Sequence, residues 1–385
     1  MSRVLLGIEV LLREHLDEIQ GKRLGLVANV ASVTGDLEPI HLILYKHTKL
    51  VLTTLFSPEH GFEARVQDAL PVPDVKDPAT NLPVYSLYGK AKAPTPRQLK
   101  GIDVLLFDLQ DAGLRFYTYL STLYYCLQAC ARAKVPVVVL DRPNPLTGAR
   151  VQGPMLNSKF TSFVGIAPIP LRHGMTLGEL ALYLNEVYRF RVDLKVIPMK
   201  GWERGMWFDQ TGLAWVPPST NLPAFRTALV YPATCLIEGT NLSEGRGTPK
   251  PFEQFGTPWV DPDGLTYDLN ALGLGGVRFG PATFTPTSDK HKGRICFGVE
   301  VDLTDRKRFD PVAAGVSILK VLLKTYPDKF SWRKEGRRYF IDLLLGTDLV
   351  RKGLEAGMAI SGLRNSDAVA TRRFLERRKK FLLYR

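Results

Sequence analysis

Four stretches of the chain carry polar residues in patterns that chemistry can use. Ser57-Pro58-Glu59-His60-Gly61 sets a carboxyl group beside an imidazole in a turn. Asp108-Leu109-Gln110-Asp111-Ala112-Gly113-Leu114-Arg115-Phe116-Tyr117-Thr118-Tyr119 brings together two carboxylates, a guanidinium and two phenols. Asp141-Arg142-Pro143-Asn144-Pro145-Leu146-Thr147-Gly148 is a third acid-led, proline-rich run. Glu238-Gly239-Thr240-Asn241-Leu242-Ser243-Glu244-Gly245-Arg246-Gly247-Thr248 is the fourth. Separated carboxylates around one crevice suit general acid–base work, because desolvation raises one pKa and leaves its partner ionised.

Each stretch also has an ordinary structural reading. Asp108 and Asp111 either cap the following helix or take part in the chemistry. Asp141 either pairs with Arg142 or Arg172 to stiffen its loop or faces a ligand. Glu59 is different: a glutamate between Pro58 and His60-Gly61, directly after an apolar run, has no capping or helix-face role. His60 either orients it or packs. The Gly-rich run 238–248 resembles a phosphate cradle in composition, but it lacks the strand–loop–helix setting such a cradle needs; a sugar-facing loop fits it equally well.

The elements that must position these groups follow from hydrophobic pattern. Residues 23–28, 50–56, 83–88, 102–107 and 135–140 are short runs, β-branched or aromatic and apolar throughout, as strands buried on both faces of a parallel sheet are. Helical patterns occupy 39–47, 117–134 and 176–190, and Thr176 with Glu179 reads as a capping box opening the last of these. This alternation implies a doubly wound, Rossmann-like α/β sheet. The first three polar stretches then fall at strand exits, where open parallel sheets bind ligands. From about Tyr231 the chain turns rich in Gly, Pro, Thr and aromatics. Strands near 282–284 and 295–303 and helices near 311–325, 348–356 and in the tail give an α+β pattern. We expect a catalytic α/β domain over 1–226 and a smaller α+β domain over 227–385.

Several function classes fall away. No GxGxxG follows the first strand, whose exit reads ANVASVTG, and GxxxxGK[ST], HExxH and GxSxG are all missing. The six histidines have no metal-ligand spacing, so no metal and no nucleotide cofactor is expected. Four cysteines without a CxxC pair read as buried thiols. Of the net charge of +13, the tail supplies +6, since residues 372–385 hold seven Lys/Arg against one acid, and the remaining +7 is ordinary for this length. Phe374, Leu375, Phe381 and Leu382 make an apolar stripe there, so the tail reads as a docked helix with solvated charges rather than a nucleic-acid surface. Glu9, Glu14 and Asp17 interrupt any apolar leader, and no run is long enough to span a bilayer. A cytoplasmic protein with a small-molecule or oligosaccharide substrate is the expectation.

SPEHGF (57–62), LPVYSLYG (82–89), FDLQDAGLRFYTYLSTL (107–123), LDRPNPLTG (140–148), PIPLRHGMTLGELA (168–181), PMKGW (198–202), WVPPSTNLP (215–223) and YPATCLIEGTNLSEGRGTPKPFE (231–253) closely resemble, in order, the exo-β-N-acetylmuramidase family. The resemblance covers nearly the whole chain. It implies a Rossmann-like catalytic domain, a smaller C-terminal domain, an active site in the cleft between them, and release of non-reducing terminal N-acetylmuramic acid from peptidoglycan fragments. By that resemblance Glu59 is the catalytic acid, while the second catalytic group stays open among residues such as Asp111 and His60. Exported relatives carry a signal peptide that this chain does not show.

The chemistry of such a substrate sorts the remaining candidates. A 2-acetamido sugar can supply its own carbonyl oxygen as nucleophile, leaving a second carboxylate to orient the amide. Its lactyl carboxylate suits a guanidinium, with Arg246, Arg115 and Arg172 expected in that order. Tyr117, Asp141, Asn144, His173, Asn241 and Glu244 complete the expected substrate-binding set. Tyr119 and Trp202 either stack on sugar or pack in the core. The alternative to an enzyme is a muropeptide-binding protein using the same crevice, which would bind the sugar without turnover.

Overall fold

The computed structural model describes residues 3–63, 73–359 and 368–385. Helix α1 (Gly7–Glu14) buries Ile8, Val10 and Leu11 and leads into the first strand, β1 (Arg23–Val27). Then come α2 (Ile40–Lys46), β2 (Val51–Ser57), β3 (Val75–Lys76), β4 (Pro83–Ser86), α3 (Pro96–Leu99), β5 (Val104–Phe107), α4 (Tyr119–Ala133) and β6 (Val137–Leu140). The chain next makes a hairpin of β7 (Gln152–Met155) and β8 (Pro170–Arg172). It returns through α5 (Leu177–Val187) and β9 (Leu194–Ile197).

Seven of these strands form one sheet in the order β3-β4-β2-β1-β5-β6-β9, parallel except for β3 against β4. The chain winds outward from β1 through β2 to β4, then restarts beside β1 at β5 and winds the other way, so the switch point lies between β1 and β5. Every residue of β5 and β6 is buried, as expected of strands covered on both faces. Leu24, Leu26, Leu55 and Leu106 are wholly enclosed in the core beneath α1, and burying each is worth about 1.5–3 kcal/mol. The capping box of α5 forms as its sequence indicates: Thr176 accepts from the Glu179 backbone and Glu179 from that of Thr176.

By contacts the chain divides into two compact units that do not follow one boundary. One takes the described residues of 1–150, 173–224 and 375–385; the other takes 151–172 and the described residues of 225–374. The β7–β8 hairpin therefore belongs to the second unit and the end of the tail to the first.

The second unit is built from α6 (Phe225–Thr234), β10 (Gln254–Thr257), α7 (Pro262–Ala271), β11 (Val277–Phe284), β12 (Cys296–Leu303), α8 (Pro311–Thr325), α9 (Phe340–Leu345) and α10 (Leu349–Glu355). Its three-stranded antiparallel sheet runs β10-β12-β11. Helix α6 carries Pro232 inside it, in a stretch whose composition reads as loop. The last helix, α11 (Ala368–Arg378), leads into the tail. Phe374 and Phe381 are buried there, with Phe381 edge-on to Tyr183 of α5. Arg372, Arg373, Arg377, Lys379 and Lys380 face solvent. No helix among the described residues is long and apolar enough to cross a membrane.

Candidate active site

Glu59 lies two residues beyond β2 in a tight turn. The Gly61 N–H donates to the Pro58 carbonyl (3.1 Å), and His60 sits at φ 73°, in the left-handed region that a non-glycine residue rarely adopts. The Leu87 N–H donates to the Ser57 carbonyl and the Val30 N–H to that of Phe62, pinning the turn at both ends. Glu59 and His60 are both buried. A carboxyl and an imidazole held out of water on strained backbone at a strand exit point to function.

At the switch point, β1 ends into Asn29 and β5 into the Asp108–Tyr119 loop. The Asn29 amide donates to the Tyr119 hydroxyl (2.8 Å) and to the Pro218 carbonyl (3.1 Å), and the Tyr119 hydroxyl donates to the same carbonyl. Burial raises the Tyr119 pKa, and the Glu59 and Asp111 charges push it in the same direction. The two carboxylates thus act on one buried phenol. Tyr117 packs edge-on against Tyr119, with ring centroids 4.7 Å apart. Burial, ahead of Tyr119 itself, raises its pKa as well.

Asp111 does not cap α4, whose N-cap residue is Thr118 and which has no side-chain cap. Its Oδ2 accepts the Gly113 N–H (2.8 Å) and lies 3.6 Å from Nε2 of His173. Its Oδ1 is buried and accepts no hydrogen bond among the described residues. Gly113 has φ +77°, and a Cβ there would stand 2.4 Å from Oδ1 of Asn144. The His173 Nδ1 accepts the Met175 N–H (3.2 Å), which puts the ring proton on Nε2, toward Asp111. Arg115, four residues on from Asp111, is wholly buried.

The other expected residues of this unit have structural partners. Asp108 pairs with Arg142. Asp141 pairs with neither Arg142 nor Arg172; it accepts the Arg142 and Gly178 N–H groups and the Thr176 and Tyr384 hydroxyls. Burial pushes its carboxyl up to about 7. Asn144 ties Met175 O (2.9 Å) to the Leu146 N–H (2.9 Å). Trp202 packs edge-on against Tyr384 beside Val4 and Met199. Asn29 is the residue the sequence reading passed over. Its signal was its place: the first residue but one after β1, beside the switch point.

The second unit gathers a separate buried cluster. Arg246 bonds Glu238 (2.5 Å) and Glu244 (2.9 Å), while Lys290 holds Glu244 (2.7 Å) and donates to the Ile237 and Thr240 carbonyls. The guanidinium also stacks 4.8 Å above the Phe252 ring. Burial, then repulsion from Glu244, raises Glu238 to about 8, and burial raises Glu244 too. Arg246 therefore already serves two carboxylates. Asn241 bridges the Lys329 carbonyl and the Ser331 N–H. Arg172, also buried, donates to Gln152 (2.7 Å) across the β7–β8 hairpin.

Comparison with known proteins gives a consistent result. The N-terminal model of the exo-beta-N-acetylmuramidase NamZ matches residues 24–226, and its C-terminal model matches 229–384. The chain is 45% identical over 382 residues to the peptidoglycan beta-N-acetylmuramidase NamZ of Bacillus subtilis (strain 168), covering 99% of this chain and 92% of that one. Two crystal structures of DUF1343 family proteins from Bacteroides fragilis NCTC 9343 share its fold. One has TM-score 0.90 and 34% identity over the whole of both chains. The other has TM-score 0.75 and 31% identity, over all of this chain and 99% of that one.

Proposed function

The chain belongs to the exo-β-N-acetylmuramidase NamZ family, and we propose that Glu59 delivers the proton in the reaction this family performs. The protein is a glycosidase acting on peptidoglycan-derived sugars, releasing terminal N-acetylmuramic acid. Functionally we divide it into a catalytic domain to residue 226 and a C-terminal domain from 227.

The observation that carries the assignment of the acid is the Glu59 turn: a buried carboxyl next to His60 at positive φ, beyond the C-terminal end of β2, whose charge helps to raise the pKa of the Tyr119 phenol. Protonating the leaving oxygen needs one such acid, and the face opposite needs a nucleophile. The 2-acetamido carbonyl of the sugar serves as that nucleophile. Asp111 orients the amide: Oδ2 is held by Gly113 and faces His173, and Oδ1 is available to accept the acetamido N–H. For the lactyl carboxylate we propose Arg115, four residues on from Asp111 in the loop that follows β5, ahead of Arg246. Tyr117 and His60 line the same strand exits. Asp141, Asn144 and Asn241 act as positioning residues through the partners given above.

A chromogenic β-N-acetylmuramide tests this reading. The unmodified protein should release the chromophore. Glu59→Gln, which keeps shape and removes the acidic proton, should lower turnover by roughly two to four powers of ten with sugar affinity and Tm nearly unchanged. Near-normal turnover in that variant removes Glu59 from the mechanism. A thermal shift with sugar and no chromophore from the unmodified protein would make it a binder.

A further inference from the structure

The tail carries a cation that its amphipathic pattern does not explain. The other cations of α11, Arg372, Arg373 and Arg377, face solvent, yet Arg378 is only 8% exposed. Its Nη1 donates to two successive carbonyls, those of His173 (3.0 Å) and Gly174 (3.1 Å). Arg204 donates to the same Gly174 carbonyl (3.1 Å), so the turn is gripped by two guanidiniums. Gly174 lies at φ +62°. A Cβ there would stand 2.7 Å from the Arg150 carbonyl and 2.8 Å from the Arg378 guanidinium, so the approach is possible only at a glycine.

The rest of the tail is latched to the same body. The Leu383 N–H donates to Glu179 (2.8 Å). The Arg385 carbonyl accepts from the Arg204 N–H (2.7 Å). The Tyr384 hydroxyl accepts the Met199 N–H (3.0 Å) and donates to Asp141. Leu383 reaches the 173–179 segment directly, and Tyr384 and Arg385 reach it through Asp141, which holds Thr176 and Gly178, and through Arg204, which holds Gly174 and Glu179; this is the stretch that carries His173 toward Asp111. The backbone of His173 is held by Arg378, its Nδ1 by Met175, and its Nε2 lies 3.6 Å from Asp111. With Nδ1 and the carbonyl both fixed, the ring has one orientation, and a second-sphere hold of this kind sets how a carboxylate is presented.

We propose that Arg378, secured by the Tyr384 latch, is a positioning residue that sets His173 against Asp111, making the tail part of the catalytic apparatus. The proposal rests on Asp111 acting at the site, as argued above. Loss of the grip lets the 173–174 turn relax, and a misplacement of about 1 Å near reacting groups costs as much as a hundredfold in rate.

Arg378→Met removes both donated bonds at similar volume; Arg378→Lys keeps a donor. On the chromogenic muramide, Arg378→Met should lower kcat by roughly tenfold to a hundredfold with KM within about twofold. Arg378→Lys should recover most of the loss. In a His173→Gln background, Arg378→Met should add nothing further, because both act through one group. Full kcat in Arg378→Met at a temperature well below its Tm, or additive effects in the double variant, overturns the proposal. Selective ¹⁵N-histidine labelling, with His173 assigned from His173→Gln, reads the same geometry without turnover. The unmodified protein should show the Nε2-protonated form and Arg378→Met an averaged pattern. An unchanged pattern overturns the proposal whether or not the muramidase reading stands, while failure of turnover in the unmodified protein overturns only that reading.

Discussion

Asp141→Asn should remove a pH dependence of stability that the buried carboxyl imposes. Asp141 is fully enclosed at the exit of β6, and burial raises its pKa from 3.8 to about 7 against the pull of its hydrogen bonds. An unfolded aspartate titrates near ~3.9. Between these values the native state holds one proton more than the unfolded chain. The stabilisation from the protonated group is therefore complete below about pH 4 and is lost as pH rises through about 7. Three units at about 1.36 kcal/mol each amount to about 4 kcal/mol, of which about 3 kcal/mol is lost between pH 5 and pH 8. Asparagine keeps the Oδ1 that accepts the Arg142 and Gly178 N–H groups, and its amide nitrogen faces the Thr176 and Tyr384 hydroxyls, which can turn to accept. Urea unfolding of both proteins at pH 5, 6, 7 and 8 reads the difference. The advantage of the unmodified protein over Asp141→Asn should shrink by about 3 kcal/mol across that range. Parallel profiles would refute the reasoning, because they would mean that four hydrogen bonds outweigh burial and keep the group ionised throughout.

Other perturbations follow from the same geometry. The unmodified enzyme should prefer a chromogenic muramide over the glucosaminide by at least about a hundredfold in kcat/KM, since an unmatched buried guanidinium costs about 3 kcal/mol; Arg115→Ala should erase most of that preference by slowing the muramide, and comparable rates on the two sugars in the unmodified enzyme would defeat the carboxylate grip. Arg246→Ala leaves Glu238 and Glu244 buried without their shared cation, so thermal or urea unfolding should show a loss of about 3–5 kcal/mol; a loss under about 1 kcal/mol would mean the cluster is solvated. Gly113→Ala puts a Cβ 2.4 Å from Asn144 at positive φ and should lower stability by more than about 1 kcal/mol, measured by Tm and urea midpoint, with an unchanged midpoint counting against the tight turn.

What the amino-acid sequence determines here is local. Strands β1, β2, β5 and β6 were legible because short, unbroken apolar runs belong to strands covered on both faces, and α4, α5 and α8 because their periodicity spans several turns. The α5 capping box was legible because its two partners are three residues apart. The Glu59 turn stood out because neither helix nor cap accounts for a glutamate there, and the ordered motifs identified the family. Weaker local signals hid other elements: β9 is only partly buried, and Pro232 disguises α6 as a loop. Partnership was decided by topology alone. Asp141 meets Tyr384 across 243 positions and His173 meets Arg378 across 205, and no period or spacing encodes such a pairing. Asp108 takes Arg142 instead of capping α4, and Arg246 is claimed by Glu238 and Glu244, because burying a charge beside an opposite one avoids the cost of leaving it alone in the interior. Residue type sets what a side chain can do. The strand order and the return of the tail to the first unit, which bring distant segments together, decide which of those things it does.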